Sequence, residues 1–223
     1  MPSPAEAKDS KAYYDAFSEQ YERIRGDNAP LGYHELLDEL EAEFVARYGA
    51  GKAVLEVGCG TGLVLKRIAT FASRAVGVDL SPGMLERARE RGLEVHEGSA
   101  TALPFEDASF DVSCSFKVLP HVPEIELALS EMARVTRPGG VIIAEFYNPR
   151  SFRGLIKRFG PKLNVARDKT EADVFTRFDT PERAAELTPP GCKLIDSRGV
   201  RITIAVGAMM QVPGLRNLLR RSE

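Results

Sequence analysis

The sequence predicts an α/β protein, a doubly wound, Rossmann-like, mostly parallel seven-stranded sheet flanked by helices. Three observations carry that expectation. Short apolar runs, among them Val54-Leu55-Glu56-Val57 and Val141 to Phe146, alternate with stretches of helical period, the order of βαβ units. The runs read as strands hidden on both faces, as a parallel sheet requires. Between the first run and the helical stretch Leu63 to Ala69 stands the glycine cluster Gly58-Cys59-Gly60-Thr61-Gly62. At 223 residues, 43% of them hydrophobic and 28% charged, the chain is long enough for one large domain of this kind.

Taken in order, residues 5–25 carry Tyr13, Tyr14, Phe17 and Tyr21 at near-helical spacing, an aromatic stripe suited to docking. Pro30 and Gly32 break the chain. Leu36, Leu37, Leu40, Phe44 and Val45 then form one apolar helical face, with Gly49 as the stop. Glu35, Asp38, Glu39, Glu41 and Glu43 read as its solvated face. The second strand is Arg74 to Asp79, and Ser81-Pro82 opens a helix with serine at the N-cap and proline in the first turn; Gly92 ends it. Leu93 to His96 and Phe110 to Phe116 are the third and fourth strands. A helix bearing Ile125, Leu129 and Met132 follows and stops before Arg137-Pro138-Gly139-Gly140, ahead of a fifth strand, Val141 to Phe146. From Tyr147 to Phe178 the alternation lapses, and Arg150, Arg153, Lys157, Arg158, Lys162, Arg167 and Lys169 interleave with Phe152, Leu155, Ile156 and Phe159. Thr180-Pro181 opens another helix, Cys192 to Asp196 reads as a sixth strand, and Arg201 to Val206 is the run left for a seventh; Pro213 to Glu223 looks like a basic helix. The expected organisation is one domain: a helical cover at 1–50, a core at 51–146, an insertion over the strand ends at 147–180, and a C-terminal helix with antiparallel strands at 181–223.

The glycine cluster is where chemistry is expected. Glycine lets a ligand approach the main chain closely, and a helix that follows turns its N–H groups toward that ligand. A tight strand-to-helix turn without a ligand is the alternative. The dinucleotide fingerprint Gly-x-Gly-x-x-Gly fails here, because its third glycine falls on Leu63 while Gly62 comes one residue early. Asp79 closes the second strand, where a carboxylate can accept both ribose hydroxyls of a nucleoside seated on the turn.

The stretch Glu56-Val57-Gly58-Cys59-Gly60-Thr61-Gly62 resembles the first motif of class I S-adenosylmethionine-dependent methyltransferases of the small-molecule, quinone-biosynthesis-like type. Gly98 to Asp111, with Leu103-Pro104-Phe105 and Phe110-Asp111, resembles that family's adenine-binding segment, with Ser99 where the family usually has aspartate. Lys117 to Glu124 is similar to its post-strand loop, with Pro120 in place of a first histidine and His121 keeping the second. Arg134 to Gly140 resembles its downstream signature, and Tyr13 to Glu22 its leader, in which Tyr21 lies over the cofactor. The resemblance covers about residues 13–146. It implies S-adenosylmethionine as cofactor, bound by Tyr21, Glu56, Gly58, Cys59, Gly60, Thr61, Gly62, Asp79, Leu80, Met84, Ser99, Ala100, Leu103 and Phe116. It implies methyl transfer to a small-molecule acceptor, at oxygen or carbon rather than nitrogen, with no metal. His121 is the leading general-base candidate, since histidine titrates near neutrality; Tyr14, His34 and Tyr147 follow. Ser99 and Pro120 leave open a catalytically inactive, cofactor-binding partner subunit, and a nicotinamide-dependent oxidoreductase is the further alternative.

Composition narrows the partners. A formal charge of -2 gives no pull toward nucleic acid. Three cysteines without metal spacing point to a reducing compartment and no disulfide framework. The apolar run Ile202 to Met210 is far short of the ~18 residues that suggest a membrane span, and Glu6, Lys8 and Asp9 stand where a signal peptide would be apolar. The expected setting is cytoplasmic. The basic and apolar insertion suggests a lid over the acceptor pocket, favouring an amphipathic or anionic acceptor.

Overall fold

The computed structural model describes Tyr21 and residues 33–151, 164–166, 169–170 and 175–199. Helix α1 (Tyr33–Gly49) leads into β1 (Ala53–Val57). Then follow α2 (Leu63–Ile68), β2 (Arg74–Asp79), α3 (Pro82–Glu90), β3 (Glu94–Glu97), β4 (Phe110–Ser115), a 3-10 turn (Leu119–His121), α4 (Ile125–Val135) and β5 (Thr136–Ala144). A two-stranded antiparallel ribbon, β6 (Asn164–Ala166) and β7 (Lys169–Thr170), and helix α5 (Pro181–Glu186) complete the described elements.

The main sheet has five parallel strands in the order β3-β2-β1-β4-β5. The chain builds outward from β1 on one side, then returns to β1's other side with β4. That reversal is the topological switch point, and the crevice beyond the carboxyl ends of β1 and β4 is where an open α/β sheet binds ligands.

Alternation along the strands supplies a core on each face. Leu55 and Val57, with Val76, Val78 and Phe110, pack against Ile125, Leu129, Met132 and Val135 of α4. Val54, Val112 and Cys114 face the other way and meet Val45 of α1 with Val64 and Ile68 of α2. The buried residues of α4 recur every three or four positions, which lays one apolar stripe on the sheet. Ser81 caps α3 by accepting the Met84 N–H at 3.2 Å, and Thr180 caps α5 by accepting that of Arg183.

Several expectations need correction. β5 begins at Thr136, so Arg137 to Gly140 lie within the strand as a bulged excursion: Phe110 pairs with Thr136 but Val112 with Val141. Gly139 takes φ 81°, and a Cβ on Gly140 would sit 2.6 Å from the Asp111 carbonyl oxygen. The expected sixth strand at Cys192 to Asp196 has no regular structure and no ladder among the described residues, and Leu194 and Ile195 stand exposed. Its end is tied to α1, where the Tyr48 hydroxyl donates to Asp196 Oδ2 at 3.0 Å. The sheet therefore shows five strands among the described residues, not seven. The expected seventh strand and basic helix (201–223) lie outside the described residues, as do Tyr13, Tyr14, Phe17, Arg153, Lys157 and Arg158. Asp38 and Glu41, expected on a wet helix face, are 4% and 2% exposed.

Candidate active site

The glycine turn hangs from the end of β1 at the switch point. The N–H groups of Gly58 and Cys59 both donate to the Val78 carbonyl oxygen, at 2.7 and 3.1 Å, so the turn is pinned to the adjacent strand. Gly58, at φ 77°, sits so close to the loop after β4 that a Cβ would lie 2.2 Å from Val118 Cγ2. Gly60 differs: at φ 53° it has no other described residue within 4 Å of a built Cβ. Close packing on one side and a bare backbone on the other is what a backbone-lined ligand cradle needs. Helix α2 is only six residues long, so the turn's own amides carry the cradle and the helix adds little.

Asp79 ends β2 beside the turn. Its Oδ2 accepts the Gly60 N–H at 2.8 Å and its Oδ1 accepts the Ser81 N–H at 3.0 Å. These two bonds fix the carboxylate's orientation at the end of β2. Leu80 is half-buried next to it and Met84 is buried. Ser99 engages Thr101: the two hydroxyls are 2.8 Å apart, and Ser99 Oγ accepts the Thr101 N–H at 3.2 Å. Ala100 is half-buried alongside. Leu103 packs in the core between sheet and α4, and Phe116 in the core on the opposite face. Tyr21 is helical and half-buried.

Among the described residues, two buried polar atoms at the end of β1 and in the turn have no hydrogen-bond partner, Glu56 Oε2 and Thr61 Oγ1. Burial, then the negative charge of Glu41, pushes the Glu56 carboxyl well above the ordinary range. Burial likewise pushes up the Cys59 thiol, which makes it a packing group and not a nucleophile. Unsatisfied buried acceptors and donors are rare, and here they sit on residues already singled out for ligand binding.

Behind the turn lies a charged cluster that the sequence did not reveal. Lys117, at φ 63°, follows β4 and sends its ammonium to Asp38 Oδ1 at 3.1 Å and Glu41 Oε2 at 2.7 Å, both on α1. Its N–H donates to Glu145 Oε2 at 2.6 Å. Desolvation outweighs the lysine at Glu41, whose carboxyl is pushed up to about 7. The ion pair fastens α1 onto the switch point.

His121 and Tyr147 meet beyond the carboxyl ends of β4 and β5, with ring centroids 5.8 Å apart at 84°. Phe175 to Asp179 runs across them. The His121 Nδ1 bonds the Phe175 carbonyl oxygen at 2.9 Å, the Arg177 N–H donates to the Pro120 carbonyl at 2.8 Å, and the Asp179 N–H to that of Tyr147 at 2.9 Å. His34 is half-buried at the start of α1. Arg134 turns out to be a fastener: its guanidinium donates to the carbonyls of Phe105 and Leu103 and pairs with Glu131, holding the 103–107 loop on α4. Arg137 does the same between Asp111 and the Ser109 carbonyl. Among the described residues no cluster could hold a metal, and no helix is long and apolar enough to cross a membrane.

A reversed strand order with a glycine turn at the switch point, and a carboxylate closing the next strand, defines a nucleoside-binding α/β domain. Residues 55–144 match the family described as a methyltransferase domain. A demethylmenaquinone methyltransferase of Mycobacterium sp. (strain KMS) is 42% identical over 118 residues, 50% of each chain. A malonyl-[acyl-carrier protein] O-methyltransferase of Serratia marcescens is 39% identical over 95 residues, 42% of this chain and 37% of its own. The chain thus spans about half the length of the first of these curated relatives, and less of the second. Among solved structures, one described as an S-adenosylmethionine-dependent methyltransferase, possible histamine N-methyltransferase, from Thermotoga maritima superposes with a TM-score of 0.63 at 27% identity, covering 78% of this chain and 77% of that one. The bare backbone at Gly60, the anchored Asp79 and the orphaned atoms of Glu56 and Thr61 fit a polar nucleoside ligand with an amino-acid tail.

Ser99 offers a direct test of whether this segment binds adenine. Ser99→Asp is expected to tighten S-adenosylmethionine binding by up to ~1–2 kcal/mol, because a charged acceptor makes a stronger bond than a hydroxyl, less its desolvation. Titration calorimetry on both proteins reads the change. Weaker binding in the variant would mean that the Ser99–Thr101 pairing, and not an adenine contact, shapes this segment.

Proposed function

We propose that the protein transfers a methyl group from S-adenosylmethionine to the oxygen or carbon of a small-molecule acceptor, with His121 taking the acceptor's proton. The observation that carries the reading is the convergence at one switch point of the glycine turn, through Gly58 against Val118, and His121, three residues beyond Val118 and bonded to its carbonyl at 2.8 Å. When bound, S-adenosylmethionine supplies a methyl group already activated on a sulfonium. The chain's task is therefore orientation and exclusion of water, which at a ~3–3.5 Å attack distance can supply ~7–11 kcal/mol. The turn and Asp79 hold the nucleoside end; Tyr147 and His121 face the acceptor. The curated relatives support a quinol or carboxylate acceptor, and the basic residues of 147–180 favour one that is amphipathic or anionic.

Methyl transfer to demethylmenaquinol and to malonyl thioesters, followed as S-adenosylhomocysteine formed, tests this. His121→Asn is expected to lower the rate by ~10²–10⁴-fold, the range of a lost general base, while leaving cofactor affinity unchanged. An intact rate in the variant removes His121 from the chemistry. Cofactor binding without transfer to either acceptor or to a mixed metabolite extract favours the inactive partner subunit.

A further inference from the structure

We propose that Phe175–Asp179 is a positioning strap that locks His121 in the Nδ1–H form, so that Nε2 carries the ring's lone pair. A carbonyl oxygen can only accept, so the 2.9 Å contact between the Phe175 carbonyl and His121 Nδ1 requires the proton on Nδ1. The Thr176 hydroxyl, 3.3 Å from the same nitrogen, adds a second acceptor. What bond one ring nitrogen makes sets the state of the other.

The strap is itself held in place at two points and stiffened within. The Arg177 N–H bonds the Pro120 carbonyl, one residue before the histidine, and the Asp179 N–H bonds the carbonyl of Tyr147, whose ring packs on the imidazole. Between them Arg177 and Asp179 close a two-pronged ion pair, Nε to Oδ2 at 2.8 Å and Nη2 to Oδ1 at 2.9 Å, with Asp179 only 6% exposed. A bidentate, largely buried pair fixes geometry as well as charge. Moving it displaces the Phe175 carbonyl and frees the ring to exchange tautomers. Arg177 and Asp179 act through His121 and are positioning residues. This rests on the reading of His121 as the base, but its test needs no acceptor.

The chain has three histidines, His34, His96 and His121, so long-range proton–nitrogen correlation spectra of the 15N-labelled full chain resolve each ring, with His121→Asn assigning the third. The neutral His121 ring is expected as the Nδ1–H form. Asp179→Asn is expected to shift its tautomer ratio by about fivefold to tenfold, the bias one hydrogen bond supplies, with His34 and His96 unmoved. Should that variant not fold, Arg177→Gln with Asp179→Asn leaves no unpaired charge and serves in its place. An Nε2–H ring in the unaltered protein, or a ratio that stays put in the folded variants, overturns the proposal. A locked ring in a protein whose His121→Asn variant still transfers methyl groups at the full rate leaves the strap standing and removes the base.

Discussion

Lys117→Met is expected to destabilise the protein by about 3–5 kcal/mol at pH 8, the scale of breaking a buried ion pair by removing one partner. Met keeps the stem's volume and leaves the backbone at the same left-handed φ of 63°, so the difference reports the charge. Without the ammonium, Asp38 and Glu41 stay buried beside Glu56 and lose the cation they share. The loss has a pH signature. Glu41's carboxyl is raised from 4.5 to about 7 in the folded protein, so its contribution is fully present below pH 4.5 and is lost as pH rises through about 7. The lysine holds that shift down, so its removal should steepen the fall in stability between pH 5 and pH 8. Denaturant unfolding at those two pH values measures it. Adding Glu41→Gln to Lys117→Met should recover part of the stability at pH 8 and flatten the pH dependence. Equal stability of Lys117→Met and the unaltered protein at pH 8 would show that the pair contributes nothing.

Asp79→Ala is expected to weaken S-adenosylmethionine binding by at least ~100-fold. Two effects combine. The carboxylate is the acceptor proposed for the ribose hydroxyls, each such bond worth about 1.5–3 kcal/mol. It also accepts the amides of Gly60 and Ser81, so its loss loosens the turn and the start of α3 together. Asp79→Asn separates the two: its amide oxygen can still take one backbone N–H, so the turn should survive better than the affinity does. Asp79→Asn with unchanged affinity would leave Asp79 a turn-holding role only.

How far the sequence alone reached depended on whether the signal was local. β2 lies at Arg74–Asp79 as read, because a buried strand between a polar start and a closing Asp79 is a short-range pattern. Ser81-Pro82 gave the start of α3 for the same reason. The acids of α1 went the other way. Glu41 stands one turn from Leu37 and Val45, at the edge of the apolar face, but nothing near it or Asp38 announces an ammonium 76 and 79 residues further on. Arg134 and Arg137 stood out by pattern, yet their fastening role appears only when α4 meets the 103–107 loop. Cys192 to Asp196 misled because apolar character marks a strand, while a ladder needs a partner edge that composition cannot supply. At the site, the turn and Asp79 were legible as a motif. The Phe175–Asp179 strap was not, since it bonds largely through backbone atoms that any sequence possesses.

The central claim is that the glycine turn and Asp79 seat S-adenosylmethionine. Titration calorimetry of the full chain with S-adenosylmethionine and, separately, with NADH tests it most directly. Saturable binding of one S-adenosylmethionine per chain, lost in Asp79→Ala and absent with NADH, is the predicted result. Binding of NADH in preference to S-adenosylmethionine, by a folded protein, would contradict it.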